Sequence, residues 1–306
     1  MLIRFGKLSL LMMVAGLILI MACGTVLAKK SKTDIFVIGD SLSDPGNLHT
    51  LTGFWPPSPP YAERFSNGPV WIEHFAEETD VSVDNRAYAG AFSGIYVLDG
   101  VPISNLNNVQ YPDLFQDLLP GVSEEIDSLL ADYPKGLNPK ALYVVWVGPN
   151  DFVLGLAQPG TLGAVLAQTA ANIAEDVCRL GTAGARHFVV GNLTDIGLTP
   201  FARAQGPGAP VFISQAIAEF NVALTEVLNN LPSACAETLE IWDTNQALRD
   251  IVSNPASFGL TNTTDACLND MLVPCPNPEE YLFWDSFHPT TSVHEIIADQ
   301  FSLLVC

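Results

Sequence analysis

Ser41 lies in the run Gly39-Asp40-Ser41-Leu42-Ser43-Asp44-Pro45-Gly46-Asn47, directly after the apolar residues Ile35, Phe36, Val37 and Ile38. A serine hydroxyl becomes a nucleophile when a histidine takes its proton and a carboxylate orients that histidine. Five histidines are present: His49, His74, His187, His288 and His294. Of these, His288 stands in a rigid local relation to a carboxylate, in Asp285-Ser286-Phe287-His288 followed by Pro289. A separation of three lets one turn bring the two side chains together, with Asp285 holding the far nitrogen of the ring and the near one free to take the Ser41 proton. The charge that develops on an attacked carbonyl also needs hydrogen-bond donors aimed at its oxygen. Asn150, in Gly148-Pro149-Asn150-Asp151, offers a side-chain N–H. Gly90, in Tyr88-Ala89-Gly90-Ala91, offers a backbone N–H with no side chain in the way. Taken singly, each of these segments also fits a plain turn.

Residues of this kind act together only if rigid elements hold them. Short apolar runs at 34–38, 142–147, 187–190 and 239–242 end in Gly39, Gly148, Gly191 and Asp243, the pattern of strands buried on both faces. Val81 and Val83 mark a further strand before the Gly90 segment. Between them, 161–180 and 212–231 carry apolar residues at helical spacing and stop at Gly181 and Pro232; a last helix is predicted over about 292–304. Strands alternating with helices of this length imply βαβ units, hence an α/β fold with a mostly parallel sheet covered on both faces. In such sheets ligands sit beyond the carboxyl ends of the strands, where Ser41 and Asn150 fall. No internal repeat or dividing linker appears, so 29–306 is expected to form a single domain.

In this order, the four segments resemble the SGNH, or GDSL, family of serine esterases and lipases. That family carries a GDS-type first block, a glycine in the second, GxND in the third and DxxH in the last. Here these are Gly39-Asp40-Ser41-Leu42, Gly90, Gly148-Pro149-Asn150-Asp151 and Asp285-Ser286-Phe287-His288. The stretch from Pro60-Tyr61 to Val70-Trp71 is similar to a segment of its lipase-like branch, and Tyr281-Leu282-Phe283-Trp284-Asp285 resembles its lecithinase/hemolysin subgroup. The resemblance implies a three-layer α/β/α SGNH-hydrolase-like fold, with Ser41 as nucleophile, His288 as base and Asp285 as its orienter. It also implies an oxyanion hole built from the Ser41 N–H, the Gly90 N–H and the Asn150 side chain, with no metal or organic cofactor. Asp151 is expected to make structural hydrogen bonds, and Asp44 and Asn47 to shape the loop after Ser41.

Thirteen Lys and Arg against 33 Asp and Glu give a net charge of −20. A surface this acidic repels phosphate backbones, which excludes nucleic acid as a natural partner. With 48% hydrophobic and 15% charged residues the chain is not disordered. Residues 1–28 combine Arg4 and Lys7 with an uncharged apolar run and a small-residue close, the pattern of a secretory signal peptide. Free secretion or periplasmic release is the first reading. Lipidation at Cys23, in Ile20-Met21-Ala22-Cys23, and retention of the run as an anchor are the rivals. No later stretch reads as apolar enough to span a bilayer. Contact with a membrane is expected only through the substrate or a Cys23 anchor, and the protein is expected to be a monomer. Export suits Cys267 and Cys275 closing a short ring. For Cys178, Cys235 and Cys306, free thiols and one further bridge stay open.

Competing motifs are incomplete. His294-Glu295-Ile296-Ile297-Ala298 begins like a zinc-binding helix but has Ala298 where the second histidine ligand belongs, and no GxSxG occurs. Residues 55–61, rich in proline, are expected to form a stiff loop walling the substrate groove. Phe54, Trp55, Phe92, Ile95, Tyr96 and Phe152 suit an acyl chain, although such residues also build cores. Lipid or lysophospholipid acyl esters are therefore the expected substrates. The alternatives are a carbohydrate O-acetyl esterase, an acyltransferase, or a catalytically silent exported binding protein.

Overall fold

Strand β1 (Ile35–Gly39) is apolar throughout because both of its faces are covered: Phe36 and Ile38 face one helical layer, Ile35 and Val37 the other. The computed structural model describes residues 35–115, 117–158 and 160–305. The expected leader 1–28, with Cys23, and also Cys306, lie outside the described residues. After β1 come helices Asn47–Thr52 and Trp71–Thr79, then β2 (Val83–Asn85) and an antiparallel hairpin of β3 (Ala91–Leu98) and β4 (Val101–Asn105). Helices Leu106–Gln110 and Val122–Asp132 lead to β5 (Leu142–Trp146), and Pro149–Ala157 and Leu162–Thr182 to β6 (His187–Gly191). Helices Pro200–Ala204 and Ala209–Asn229 precede β7 (Thr238–Trp242). Helix Thr244–Ser253, the short pair β8 (Asn262–Ala266) and β9 (Tyr281–Phe283), and helix Thr291–Val305 follow.

The central sheet has five strands in the order β2-β1-β5-β6-β7, all parallel. One face packs Phe36, Tyr143, Val145 and Phe188 against helices Val122–Asp132, Leu162–Thr182 and Ala209–Asn229. The other packs Val144, Trp146, Val189 and Trp242 against Trp71, Phe75, Ala298 and Phe301 of helices Trp71–Thr79 and Thr291–Val305. This is the expected three-layer α/β/α arrangement. Each large side chain buried in it contributes roughly 1.5–3 kcal/mol, and that is what holds the strand ends in register. The predicted helix 212–231 starts earlier, at Ala209. By length and composition it is apolar enough to cross a bilayer, contrary to the sequence reading, yet Ile213, Ile217, Phe220 and Leu224 place it in the sheet-facing core. Cys267 and Cys275 form the expected disulfide, and Cys178 pairs with Cys235, tying helix Leu162–Thr182 to the approach to β7.

Register decides where chemistry can gather. Gly39 of β1 lies opposite Trp146 of β5, so the chain leaves both strands at the same height. A Cβ on Gly39 would meet the Trp146 carbonyl oxygen at 2.5 Å, which only glycine avoids.

Candidate active site

The loop after β1 turns sharply, with the Ser43 and Asp44 N–H groups both donating to the Asp40 carbonyl at 3.0 Å. Three anchors hold it. The Trp71 indole donates to Ser43 Oγ (3.0 Å), the Asn47 amide donates to the Asn85 and Ala87 carbonyls (3.1 and 3.0 Å), and Asp44 accepts from Gly46, Asn47, Leu48 and Ala89. Asp44 and Asn47 therefore do more than shape their own loop: they fasten it to the segment that carries Gly90.

Just beyond β9, Asp285 Oδ1 accepts the N–H groups of Phe287 and His288, both at 2.8 Å, folding residues 285–288 into one turn. That turn brings His288 Nδ1 within 2.8 Å of Asp285 Oδ2. With Nδ1 protonated and donating there, Nε2 is free to accept the Ser41 hydroxyl, and Ser41 Oγ lies 2.8 Å away. The other histidines take up structural duties. His49 contacts the Pro56 carbonyl, His74 contacts Thr291, and His187 contacts Thr238. His294, fully buried, has its value pushed down to about 3 by burial, so it stays neutral as the acceptor of the Trp71 N–H.

Burial tends to raise the Asp285 carboxyl, but the His288 charge, the bond from its ring and the two turn N–H groups outweigh it, and the group is held below the usual carboxylate value. A further donor was not legible from the sequence. The Tyr61 hydroxyl donates to Asp285 Oδ2 at 2.9 Å, across 224 residues. Asp40, wholly buried beside Ser41, is pushed up to about 7 by burial against the opposing Leu42 N–H and His288, with Asp151 and Asp44 adding to the rise.

The Gly90 and Asn150 segments converge on the same spot. Asn150 occupies the first turn of helix Pro149–Ala157, and one of its amide hydrogens goes to the Ala91 carbonyl (3.0 Å), which fixes the side chain and leaves a second hydrogen to donate. Asp151, fully buried, accepts from the Ser93 N–H and hydroxyl and from the Tyr96 hydroxyl (2.7 Å), so it locks this helix to β3. Gly90 has φ +86°, in the left-handed region that favours glycine. Neither its N–H nor that of Ser41 has a hydrogen-bond partner among the described residues.

A cavity of about 710 Å³ opens over Ser41, Gly90, Asn150, Asp285 and His288, so all five sequence-predicted residues line it. Its lining is mostly apolar and contains no Lys or Arg among the described residues. Trp55, Pro56, Pro57 and Tyr61 form part of it, as expected of the proline-rich loop. Most of the other expected acyl contacts lie elsewhere. Phe92 and Phe152 are core residues, Tyr96 is tied to Asp151, and Phe54 and Ile95 are exposed and not among the lining residues. Phe65, Tyr111, Phe201 and Phe287 line the cavity instead, drawn in by folds of the chain that periodicity does not report.

The arrangement can deprotonate a serine, orient the base that does so, and offer three donors to an adjacent oxygen. The described fold resembles a solved acetyl xylan esterase, with a TM-score of 0.50 at 11% identity, covering 89% of this chain and all of that one. In sequence, the chain is 26% identical to a phosphatidylcholine-sterol acyltransferase of Aeromonas hydrophila over 87% of its length and 88% of the relative's. It is also 26% identical to a thermolabile hemolysin of Vibrio parahaemolyticus, across 87% of this chain and 62% of that protein. The pattern of the GDSL-like Lipase/Acylhydrolase family matches residues 35–301, nearly everything the structure describes. The chain belongs to the GDSL-like lipase/acylhydrolase family.

Proposed function

We propose that this protein is an exported serine ester hydrolase acting on lipid or lysophospholipid acyl esters through an acyl-enzyme on Ser41. The observation that carries the proposal is the continuous contact from Ser41 Oγ to His288 Nε2 (2.8 Å) and from His288 Nδ1 to Asp285 (2.8 Å), opening on a largely apolar cavity. Ser41 Oγ attacks the ester carbonyl as His288 takes its proton, and Asp285 stabilises the imidazolium. The Ser41 N–H, the Gly90 N–H and the free Asn150 hydrogen receive the oxyanion. The alcohol leaves with the proton from His288; water then attacks the acyl-enzyme by the same route, returning Ser41 and releasing the acid. The leader pattern of 1–28 and two disulfides both fit an oxidising compartment.

A second reading, acyl transfer to another alcohol, is favoured by the extent of similarity to the acyltransferase relative and differs only in the acceptor. The test is hydrolysis of p-nitrophenyl esters from acetate to palmitate, a lysophospholipid and an acetylated xylan, with the Ser41→Ala variant alongside. Turnover of medium and long chains that vanishes in Ser41→Ala is expected. Turnover confined to acetylated xylan would move the substrate to carbohydrate, and turnover surviving in Ser41→Ala would overturn the mechanism. Addition of a sterol or long-chain alcohol as acceptor separates transfer from hydrolysis.

A further inference from the structure

Two lips of the cavity are apolar and exposed. On one, Phe54 (46% exposed) stacks on Phe115, Tyr111 (40%) packs on Trp55 with ring centroids 5.1 Å apart, and Leu114 is 45% exposed. On the other, Met271, Leu272 and Val273 are 80%, 44% and 53% exposed. Tyr111 and Leu272 also line the cavity, so on each lip exposed apolar side chains adjoin the cavity wall. Water-facing apolar side chains in such a cluster are unfavourable unless something covers them.

The second lip is built to stay out. The Cys267–Cys275 disulfide and the Cys275 N–H to Cys267 carbonyl bond (2.8 Å) close its base. At the tip, Asn269 Oδ1 accepts the N–H groups of Met271 (2.9 Å) and Val273 (3.0 Å), and Leu272 is held at φ +58°, a conformation that costs a branched side chain energy. A loop pinned in this way keeps Met271 and Val273 out in solvent while Leu272 reaches the cavity wall.

Charge selects the partner. Neither lip segment, 51–60 with 111–119 or 267–275, contains a Lys or Arg, while Asp113, Asp117 and Asp270 stand among the apolar residues. An anionic lipid surface is repelled by this pattern, since attraction to one relies on basic residues. A zwitterionic phospholipid surface presents its ammonium groups outermost, opposite these carboxylates, and its acyl layer to the apolar tips. We infer that the two lips dock the enzyme on zwitterionic phospholipid aggregates, with Met271 and Val273 inserting on one side and Phe54 and Leu114 on the other. This rests on the proposed lipid-ester activity for what then enters the cavity.

The test uses the full chain carrying Ser41→Ala, so that lipid stays intact, in sedimentation with vesicles of phosphatidylcholine or of phosphatidylglycerol. Phosphatidylcholine vesicles should be bound at least about tenfold more tightly. Met271→Asp with Val273→Asp should weaken that binding about tenfold or more, and so should Phe54→Asp with Leu114→Asp on the opposite lip, so that one misfolded pair does not decide the matter. With Ser41 intact, both pairs should cleave a soluble short-chain ester within about twofold of the parent, because none of the four residues lines the cavity. Undiminished phosphatidylcholine binding by both pairs, equal binding of the two vesicle types, or a dimer that the substitutions split without lipid would each overturn the docking surface. Those results leave ester hydrolysis standing; lip-dependent binding without hydrolysis of any ester by the parent would support docking and sink the proposed activity.

Discussion

Replacing Gly90 by alanine tests the proposed oxyanion hole at its most constrained point. A Cβ there would lie 2.2 Å from Asn107 Nδ2 and 2.4 Å from Asn105 Oδ1, against an ordinary contact of at least 3.4 Å. The shortfall is 3.4 − 2.2 = 1.2 Å, and the two asparagines cannot easily yield it. Asn105 donates to the Ala89 and Pro120 carbonyls at 3.1 and 2.7 Å, and Asn107 donates to the Ala89 carbonyl at 3.0 Å and to Asn105 Oδ1 at 3.0 Å. The displacement therefore falls largely on residue 90 and its N–H, and a misplacement of about 1 Å in a reacting constellation costs on the order of a hundredfold in rate. The left-handed φ of +86° adds roughly 1–2 kcal/mol of strain for alanine, and one strained amide bond about 1 kcal/mol more. That total, about 2–3 kcal/mol, leaves most domains folded. Gly90→Ala should thus lower the melting temperature yet remain folded at 25 °C, with kcat on a soluble ester down about a hundredfold and KM little changed. Active-site titration with a fluorophosphonate normalises the rate to competent enzyme. A folded variant whose kcat stays within about threefold of the parent would refute the role given to the Gly90 N–H.

Tyr61→Phe removes one donor to Asp285 while leaving the ring in place. A bond to a charged acceptor is worth at most about 1.5–3 kcal/mol, and water can partly replace it at a carboxylate 15% exposed. A fall of about tenfold in kcat with unchanged KM is expected, whereas an unaltered kcat would make the contact merely structural. Stability should also respond to Asp40. Its carboxyl rises from 3.8 unfolded to about 7 folded, so the folded state holds the extra proton between those values. Stability is then fully present below 3.8 and is lost as pH rises through about 7, a change of roughly 4 kcal/mol at most. The Asp285 carboxyl, lowered on folding, acts in the opposite sense: its stabilisation is present above the ordinary value and lost as pH falls through the folded one. Melting curves at pH 5.5 and 8 should show the parent less stable at pH 8, with a smaller difference in Asp40→Asn. Parallel pH dependences in the two proteins would show that Asp40 is not the group responsible.

What the sequence determined by itself is local. The Ser41 turn follows from an apolar strand ending at a glycine, and the Asp285–His288 contact from a three-residue separation that one turn closes. Gly148-Pro149-Asn150 begins a helix because proline suits its first position, and that is enough to put an amide at a strand end. Alternating strands and helices likewise prescribe a parallel sheet, whose carboxyl ends gather such turns. Tertiary structure decided whatever depends on two distant segments arriving at one place. Tyr61 reaches Asp285 across 224 residues, and Asp44 reaches the Ala89 N–H across 45. Cys178 meets Cys235 across 57 residues because a helix and a strand approach happen to run side by side. The division of the aromatic residues shows the same limit. Phe152 and Phe287 differ little as residues, yet helix Pro149–Ala157 turns Phe152 into the core while the turn at Asp285 points Phe287 at the cavity. Hydrophobicity drives both out of water without direction, and only the packed backbone says whether the place each finds is core or binding wall.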